Sequence, residues 1–358
     1  MGLFNLLPLR LTATTTPPLT PPQRGGEHTG AFDGLRLAAA FAVLFGHCYV
    51  LTGHKAHEPL ARLTQGGTGI GEVAVYIFFA ISGYLITQSW LRDPSVKRFM
   101  LRRLLRIIPA LAFVIITSVF IVGATMTTLD LPTYFSQKET YTYLAKIFLY
   151  PSQHGLPAVF SNNPYPAIVN GSLWTLRVEF TLYMVIAGLG LLGLLRWRWI
   201  TLGIALLCLI ALFLITQSPV PFLHQGEVFL ANAAPYFIGA TMAQMELKKR
   251  GALLASIPLP LLTIASVGTP LFTPLLLISL PIVTILIAHF GRCDLSRFGD
   301  FSYGVYLWGF VMQQMIVALT PDITPLPLFA LAATATLTMG ALSWHLIEKP
   351  ALKLKPRR

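Results

Sequence analysis

Charge is what this chain has least of. Asp, Glu, Lys and Arg together make up 11% of its 358 residues. A soluble domain carries about 25%, so an ordinary water-soluble globule is excluded. Acids are the scarcer sign: 14 Asp and Glu stand against 26 Lys and Arg, for a net charge of +12. That balance would suit nucleic acid if it covered a folded soluble face. Here the basic residues cluster between apolar runs, which ties them to membrane topology, and no nucleic-acid partner is expected. Cysteine is almost absent. Cys48, Cys208 and Cys293 lie in or beside apolar segments, with no metal-ligand spacing and no disulfide framework. No metal is expected. No cleavable leader is expected either, since MGLFNLLPLR has a short apolar core and no small-residue cleavage site after it. The Met-Gly start has Leu at position 6, where a myristoylation signal needs Ser or Thr. Residues 1–30, rich in Pro, Thr and Gly, read as a disordered cytoplasmic tail.

What the chain does have is apolar length. Hydrophobic residues are 54% of it, in repeated runs near the 20 residues or so that a membrane-spanning helix needs. Ten spans are expected, at about 33–52, 72–91, 104–126, 174–195, 199–216, 227–246, 252–269, 271–290, 300–319 and 326–347. The loops between them sort by charge. One set holds Arg10 and Arg24; Arg92, Lys97, Arg98, Arg102 and Arg103; Arg196 and Arg198; Lys248, Lys249 and Arg250; Arg292 and Arg297; and a closing basic tail at 353–358. The other set holds only Lys55, Arg62, Lys138 and Lys146. By the positive-inside rule this is an all-α, polytopic membrane protein with both termini cytoplasmic. Its surroundings are lipid.

Two stretches stand out from that pattern. The closely spaced pair 252–269 and 271–290 carries Pro258, Pro260, Pro270, Pro274 and Pro281, and reads as two spans or as one broken or re-entrant element. Residues 127–173 form a long outer connection with a short amphipathic piece around Thr140–Tyr150. Long loops are uncommon unless they work or are disordered. Phe160, Asn162, Asn163, Tyr165 and Asn170 suit either a sugar-facing lid or a structural cap. No internal duplication of the kind transporters show is visible.

Four constellations carry chemistry. In DGLRLAAAFAVLFGH, Arg36 and His47 are eleven positions apart, which returns to the same helix face about 16 Å higher. With Arg36 at the water boundary, His47 lies deep in the membrane. An imidazole there is expensive unless it faces protein or water, and it titrates near neutrality, as a general base must. Asp33 can pair with Arg36 three positions on. In SLWTLRVEFTLY, Glu179 lies about 10 Å below the outer surface. That depth is close to the one expected of His47, so Glu179 is read as the acid that orients the imidazole, against a structural ion pair with Arg177. Tyr183 shares its face and Trp174 is an interfacial anchor. In the run Lys97 to Pro109, Arg98, Arg102 and Arg106 repeat every four residues beside Arg103. Lys97 and Arg98 are topology signals, whereas the arginines suit a phosphorylated donor. In YIFFAISGYLIT, Ser82 and Gly83 read as a close helix approach, ahead of a nucleophilic serine. His54-x-x-His57 is poor evidence for a metal, and His345 and Glu348 read as interfacial anchors.

With these residues the chain resembles the acyltransferase family 3 of integral membrane acyltransferases. The likeness covers 31–352 and rests on DGLRLAAAFAVLFGH, FFAISGYLIT, RFMLRRLLRIIPA, SLWTLRVEFTLY, FSYGVYLWGF and IEKPALKL in family order. It implies one ten-helix membrane domain that takes an acyl group, usually acetyl from acetyl-CoA in the cytoplasm, to a hydroxyl of a carbohydrate outside the bacterial inner membrane. It implies catalytic roles for His47, Arg36 and Glu179, and coenzyme binding by Arg102, Arg103 and Arg106. Gly309 stands where many members carry a histidine, and the esterase-like domain that some append is expected to be absent. The rival reading is a transporter or flippase of a lipid-linked sugar, with the same three buried groups as coupling residues. A scaffold or sensor is a third.

Overall fold

The computed structural model describes residues 29–149, 155–247, 251–291 and 299–355. The tail through Glu27 and His28, Lys248 to Arg250, Arg292, Cys293, Arg297, Arg357 and Arg358 lie outside the described residues. The long helices are α1 (Thr29–Leu51), α2 (Ile70–Arg92), α3 (Val96–Thr117), α4 (Trp174–Leu191), α5 (Arg198–Thr216), α6 (Glu227–Ala243), α7 (Phe272–Phe290), α8 (Ser302–Leu319) and α9 (Pro325–Ser343). Beyond α3 a π-helical turn continues it to Met126, and another carries α9 on to Lys353. Among the described residues there is no strand, only an isolated bridge between Thr127 and Val159.

Seven of the helices are long and apolar enough to cross a membrane: α1, α2, α3, α4, α5, α7 and α9 with their continuations. Helices α6 and α8 and the 252–269 segment are not. For α6 and α8 the reason is where they sit. Helix α6 is buried from Asn232 through Met242, and α8 buries Ser302, Gln313 and Gln314. A helix enclosed by others meets little lipid and has no need of a uniformly apolar surface. Helix α5 shows the opposite condition, with Leu206, Leu207, Ile210 and Leu214 exposed. A surface of that kind is stable against lipid rather than water. The proline-rich stretch before α7 is broken into Gly251–Ala255 and Pro258–Ala265.

Helix α2 is the axis of the bundle, with α1, α4, α6 and α7 packed on it. Its small residues decide how close they come. A Cβ on Gly83 would stand 1.9 Å from the Tyr236 carbonyl oxygen, and one on Gly239 would stand 2.1 Å from that of Ala80. So α2 and α6 touch backbone to backbone, the close approach expected of Gly83. The contact fixes one side of α2 against α6 and leaves neighbouring Ser82 to reach α4.

Helix α1 runs antiparallel to α2, with Phe32 stacked on Tyr84 and Gly46 beside Gly71. It runs parallel to α8, with Arg36 at Asp300 and Leu44 at Gln313. The Arg36 end of α1 therefore meets the second half of α2, and His47 meets its first turn.

Candidate functional site: an ion cluster, two cavities and a histidine

Four elements bring charge together at one end. The Arg106 guanidinium reaches Asp300 Oδ2 at 2.5 Å and Glu348 Oε2 at 3.0 Å, and Arg36 Nη1 reaches the same Asp300 oxygen at 3.2 Å. Ser302 Oγ donates to Asp300, and Ser343 Oγ to Glu348. Burial would raise the Asp300 carboxyl, but Arg106 and Arg36 outweigh it and hold it at about 2. The carboxylate is thus ionised at any physiological pH and pins α1 and α3 to the start of α8. Glu348 is 1% exposed, so it is no interfacial anchor. An acid that deep needs a cation, and Arg106 provides it. Arg102 goes elsewhere: it meets Asp93 at 2.7 Å, on the carboxylate that Arg98 also grips. Hydrogen bonds from Arg98 and then from Arg102 pull that acid down to about 2.

Next to this cluster lies a cavity of about 220 Å³. Its wall carries Arg36, Arg103, Arg106 and Lys355, with Asp300 as the opposing charge and Trp344 and Ser82 beside them. Lys355 follows α9, and its amine is pushed down to about 8 by burial and then by Arg103, Arg106 and Arg102. A lysine that repels its own proton marks a region of positive potential. Arg103 Nε is buried with no hydrogen-bond partner among the described residues, and its guanidinium lies over the Phe99 ring. These are groups that an anion with several oxygens would satisfy.

Ser82 forms the partition between this cavity and a second, smaller one. Its Oγ donates to Glu179 Oε1 at 2.8 Å, and Tyr183 OH donates to the same oxygen at 2.5 Å. Glu179 lines the second cavity, of about 40 Å³, together with Arg36, Phe78, Thr175 and Tyr306. Arg36 faces both. Phe78 and Tyr306 meet edge to face at 5.5 Å and pack with Val43, one helical turn below His47. The His47 ring, half-buried, stands edge-on to Phe310 at 5.1 Å, and Tyr165 lies on the other side of Phe310. Neither cavity is lined by His47.

The carboxylate of Glu179 therefore does not orient His47, as its expected depth suggested. Residues 155–173 explain the displacement. They do not stay above the bundle but run down beside α8. Asn163 Nδ2 donates to the Gln314 carbonyl and Oε1, and Asn170 Nδ2 donates to the Leu307 carbonyl, about 10 Å lower. Thr175, in the first turn of α4, then meets the Tyr306 hydroxyl at 2.6 Å. Helix α4 starts deep, so Glu179 arrives at the level of Arg36. Asn163 and Asn170 are structural pins, and Asn162 remains exposed. Of the two readings of this stretch, its inner half is a plug rather than a lid.

The profile of a family described as an acyltransferase domain, that of acyltransferase family 3, matches residues 29–345. The chain belongs to that family. The acyltransferase is 32% identical over 331 residues to a protein named O-acetyl transferase from Shigella phage Sf6, which covers 90% of this chain and 95% of that one. It is 28% identical over 369 residues to Nodulation protein 10 of Rhizobium leguminosarum bv. viciae, at 93% and 96% coverage. Peptidoglycan O-acetyltransferase OatA of Listeria monocytogenes matches at 28% over 183 residues, 48% of this chain and 25% of that protein. No solved structure matches. These likenesses make the protein an O-acyltransferase, and its helices make it a multi-pass membrane protein.

Of the residues singled out in the sequence, the acyltransferase brings Arg36, Arg103 and Arg106 to one cavity and Glu179 to its partition. Arg102 and His47 stand apart from it. Asp300, Glu348 and Lys355 were missed as members of the cluster. Asp300 immediately precedes the FSYG run and Glu348 sits within IEKP, so a search for acids beside those runs would have found them. Lys355 gives no such sign, since a basic tail reads as topology. Gly309 faces Leu44, where an added Cβ would stand 3.0 Å from Cδ1, so a side chain there requires Leu44 to shift.

Proposed function

We propose that the acyltransferase takes an acetyl group from acetyl-CoA on the cytoplasmic side of a bacterial inner membrane and delivers it to a hydroxyl of a cell-surface glycan. The carrying observation is the cavity walled by Arg36, Arg103, Arg106 and Lys355. An excess of fixed cations around a buried Nε–H without a partner suits the phosphates of a coenzyme and offers nothing to a neutral sugar. The side on which it lies follows from charge asymmetry, because the loops at this end hold most of the Lys and Arg. With α6, α8 and the 252–269 segment crossing as well, the chain has ten spans and both termini in the cytoplasm. At the other end His47, beside Phe310 and Tyr165, is the base that takes the proton of the sugar hydroxyl. A carbohydrate acceptor is supported by the peptidoglycan O-acetyltransferase among the relatives.

The test is purified protein in detergent with acetyl-CoA and candidate glycans. Release of free coenzyme thiol matched by acetyl ester on the glycan is expected. Intact thioester beside unmodified glycan, with every acceptor tried, would leave the transport reading in its place.

A further inference from the structure

Two hydroxyls lining the cationic cavity, those of Ser82 and Tyr183, are hydrogen-bonded to the Glu179 carboxylate across the partition, and Ser82 carries the aliphatic one. We infer that Ser82 is a nucleophile that carries the acyl group as an ester between donor and acceptor, a step that rests on the acyl-transfer reading above. Three observations carry it. Ser82 Oγ donates to Glu179 Oε1 at 2.8 Å, so the base that a serine needs is already in hydrogen-bond geometry. Tyr183 donates to that same Glu179 oxygen, holding the carboxylate in place. Arg36 and Arg103 line the cavity on the donor side, where negative charge develops on a thioester oxygen under attack.

A fourth observation explains why a relay is needed. His47 lies about 16 Å along α1 from Arg36, and Val43, Phe78 and Tyr306 fill the space between. One imidazole does not serve both ends. In the first half, Ser82 Oγ attacks the thioester carbonyl, the C–O bond forms, and the Ser82 proton passes to Glu179. The C–S bond breaks, and the departing thiolate takes a proton from water on the donor side. In the second half, a sugar hydroxyl attacks the Ser82 ester once the Phe78–Tyr306 pair parts, and its proton passes to His47 through the water that this opening admits. Ser82 Oγ leaves and recovers the proton held on Glu179. His47 then releases its proton to water on the acceptor side, so the thioester becomes a thiol, the hydroxyl becomes an ester, and Ser82, Glu179 and His47 end as they began.

Full-length protein incubated with acetyl-CoA and no glycan, then digested and read by mass spectrometry, tests this. One acetyl is expected on the peptide containing Ser82, removable by hydroxylamine. Ser82→Ala abolishes it, Ser82→Cys restores it as a thioester, and Glu179→Gln slows its formation roughly 10²–10⁴-fold. When glycan is then added, the parent loses the ester whereas His47→Gln retains it, because only the second half requires the imidazole. A folded Ser82→Ala protein that acetylates glycan as fast as the parent overturns the relay while leaving the acyltransferase reading intact. So does an acetyl found on another residue in its place. Wild-type protein that consumes no acetyl-CoA with any glycan present sinks both.

Discussion

The two ends of this bundle are built from different materials. The end at Arg36 is held by ions: Asp300 and Glu348 are shared among guanidinium groups from α1 and α3. The end at His47 is held by amides: Gln313 Nε2 donates to the Leu44 carbonyl, and Asn163 and Gln314 bind one another and neighbouring backbone. An ionic framework leaves surplus charge, which the cationic cavity exposes. An amide framework adds no charge of its own, and at that end His47 stands beside aromatic rings. Under the function proposed above, the contrast fits a polyanionic donor and a hydroxyl-rich acceptor, and would separate donor binding from acceptor activation.

Substitutions that touch one end alone are the way to break this contrast. The largest effect is expected for His47→Gln. Glycan acetylation should fall about 10²–10⁴-fold, while thermal unfolding in detergent stays as in the parent, because the ring makes no hydrogen bond among the described residues that the fold depends on. Equal acetylation by this variant would remove the acceptor-side base. At the other end, Arg106→Ala should act mainly on stability. It leaves the buried Glu348 without a cation and Asp300 with Arg36 alone, a loss of about 3–5 kcal/mol. The measurement is the unfolding midpoint, and an unchanged midpoint would mean that the ionic framework does not hold the helices.

A smaller effect is expected from the pins of the inserted segment. Asn163→Leu leaves the Gln314 side chain and carbonyl without their donor, at about 1–3 kcal/mol. Residues 155–173 should then become cleavable by protease added from the acceptor side, with donor binding unaltered. Protection equal to the parent's would show that the segment is held by its apolar contacts instead.

How much of this was legible beforehand differs between fold and site. Helix boundaries followed from apolar periodicity and charge, and α2, α5 and α7 begin and end within two residues of the expected spans. Gly83 was read correctly because close approach needs only a small residue, which is a local property. The level of Glu179 was misread because depth was counted from the start of α4, on the assumption that an outer loop stays outside. Nothing local in PSQHGLPAVFSNNPYPAIVNGS says that two asparagines will reach α8, more than 130 residues away in the chain. Asp300 and Glu348 were missed for the same reason: an acid at a helix end looks like an anchor until its partners arrive from other helices. Ser82 gives no sign of a partner in the sequence because the carboxylate that it meets is 97 positions away.

The smallest effect expected is a pH dependence confined to the donor end. Lys355 loses its proton at about 8 in the free protein, because burial and three neighbouring arginines disfavour the charged form. A phosphorylated donor favours that charged form, so binding should draw a proton onto Lys355 wherever the pH exceeds this value. Affinity for acetyl-CoA is then fully present below about 8 and weakens as the pH rises through it. A loss of about tenfold corresponds to one unit of pKa difference between bound and free states. In the absence of donor the sign reverses. A lysine whose pKa is lower folded than unfolded destabilises the fold while protonated, so the free protein should gain stability as the pH rises from about 8 towards 10.5. Titrating coenzyme binding against pH in parent and Lys355→Gln proteins measures the first of these. A pH dependence that survives in Lys355→Gln would assign it to another group. One that disappears, leaving the glycan side untouched, would show that the cationic end answers to the donor alone.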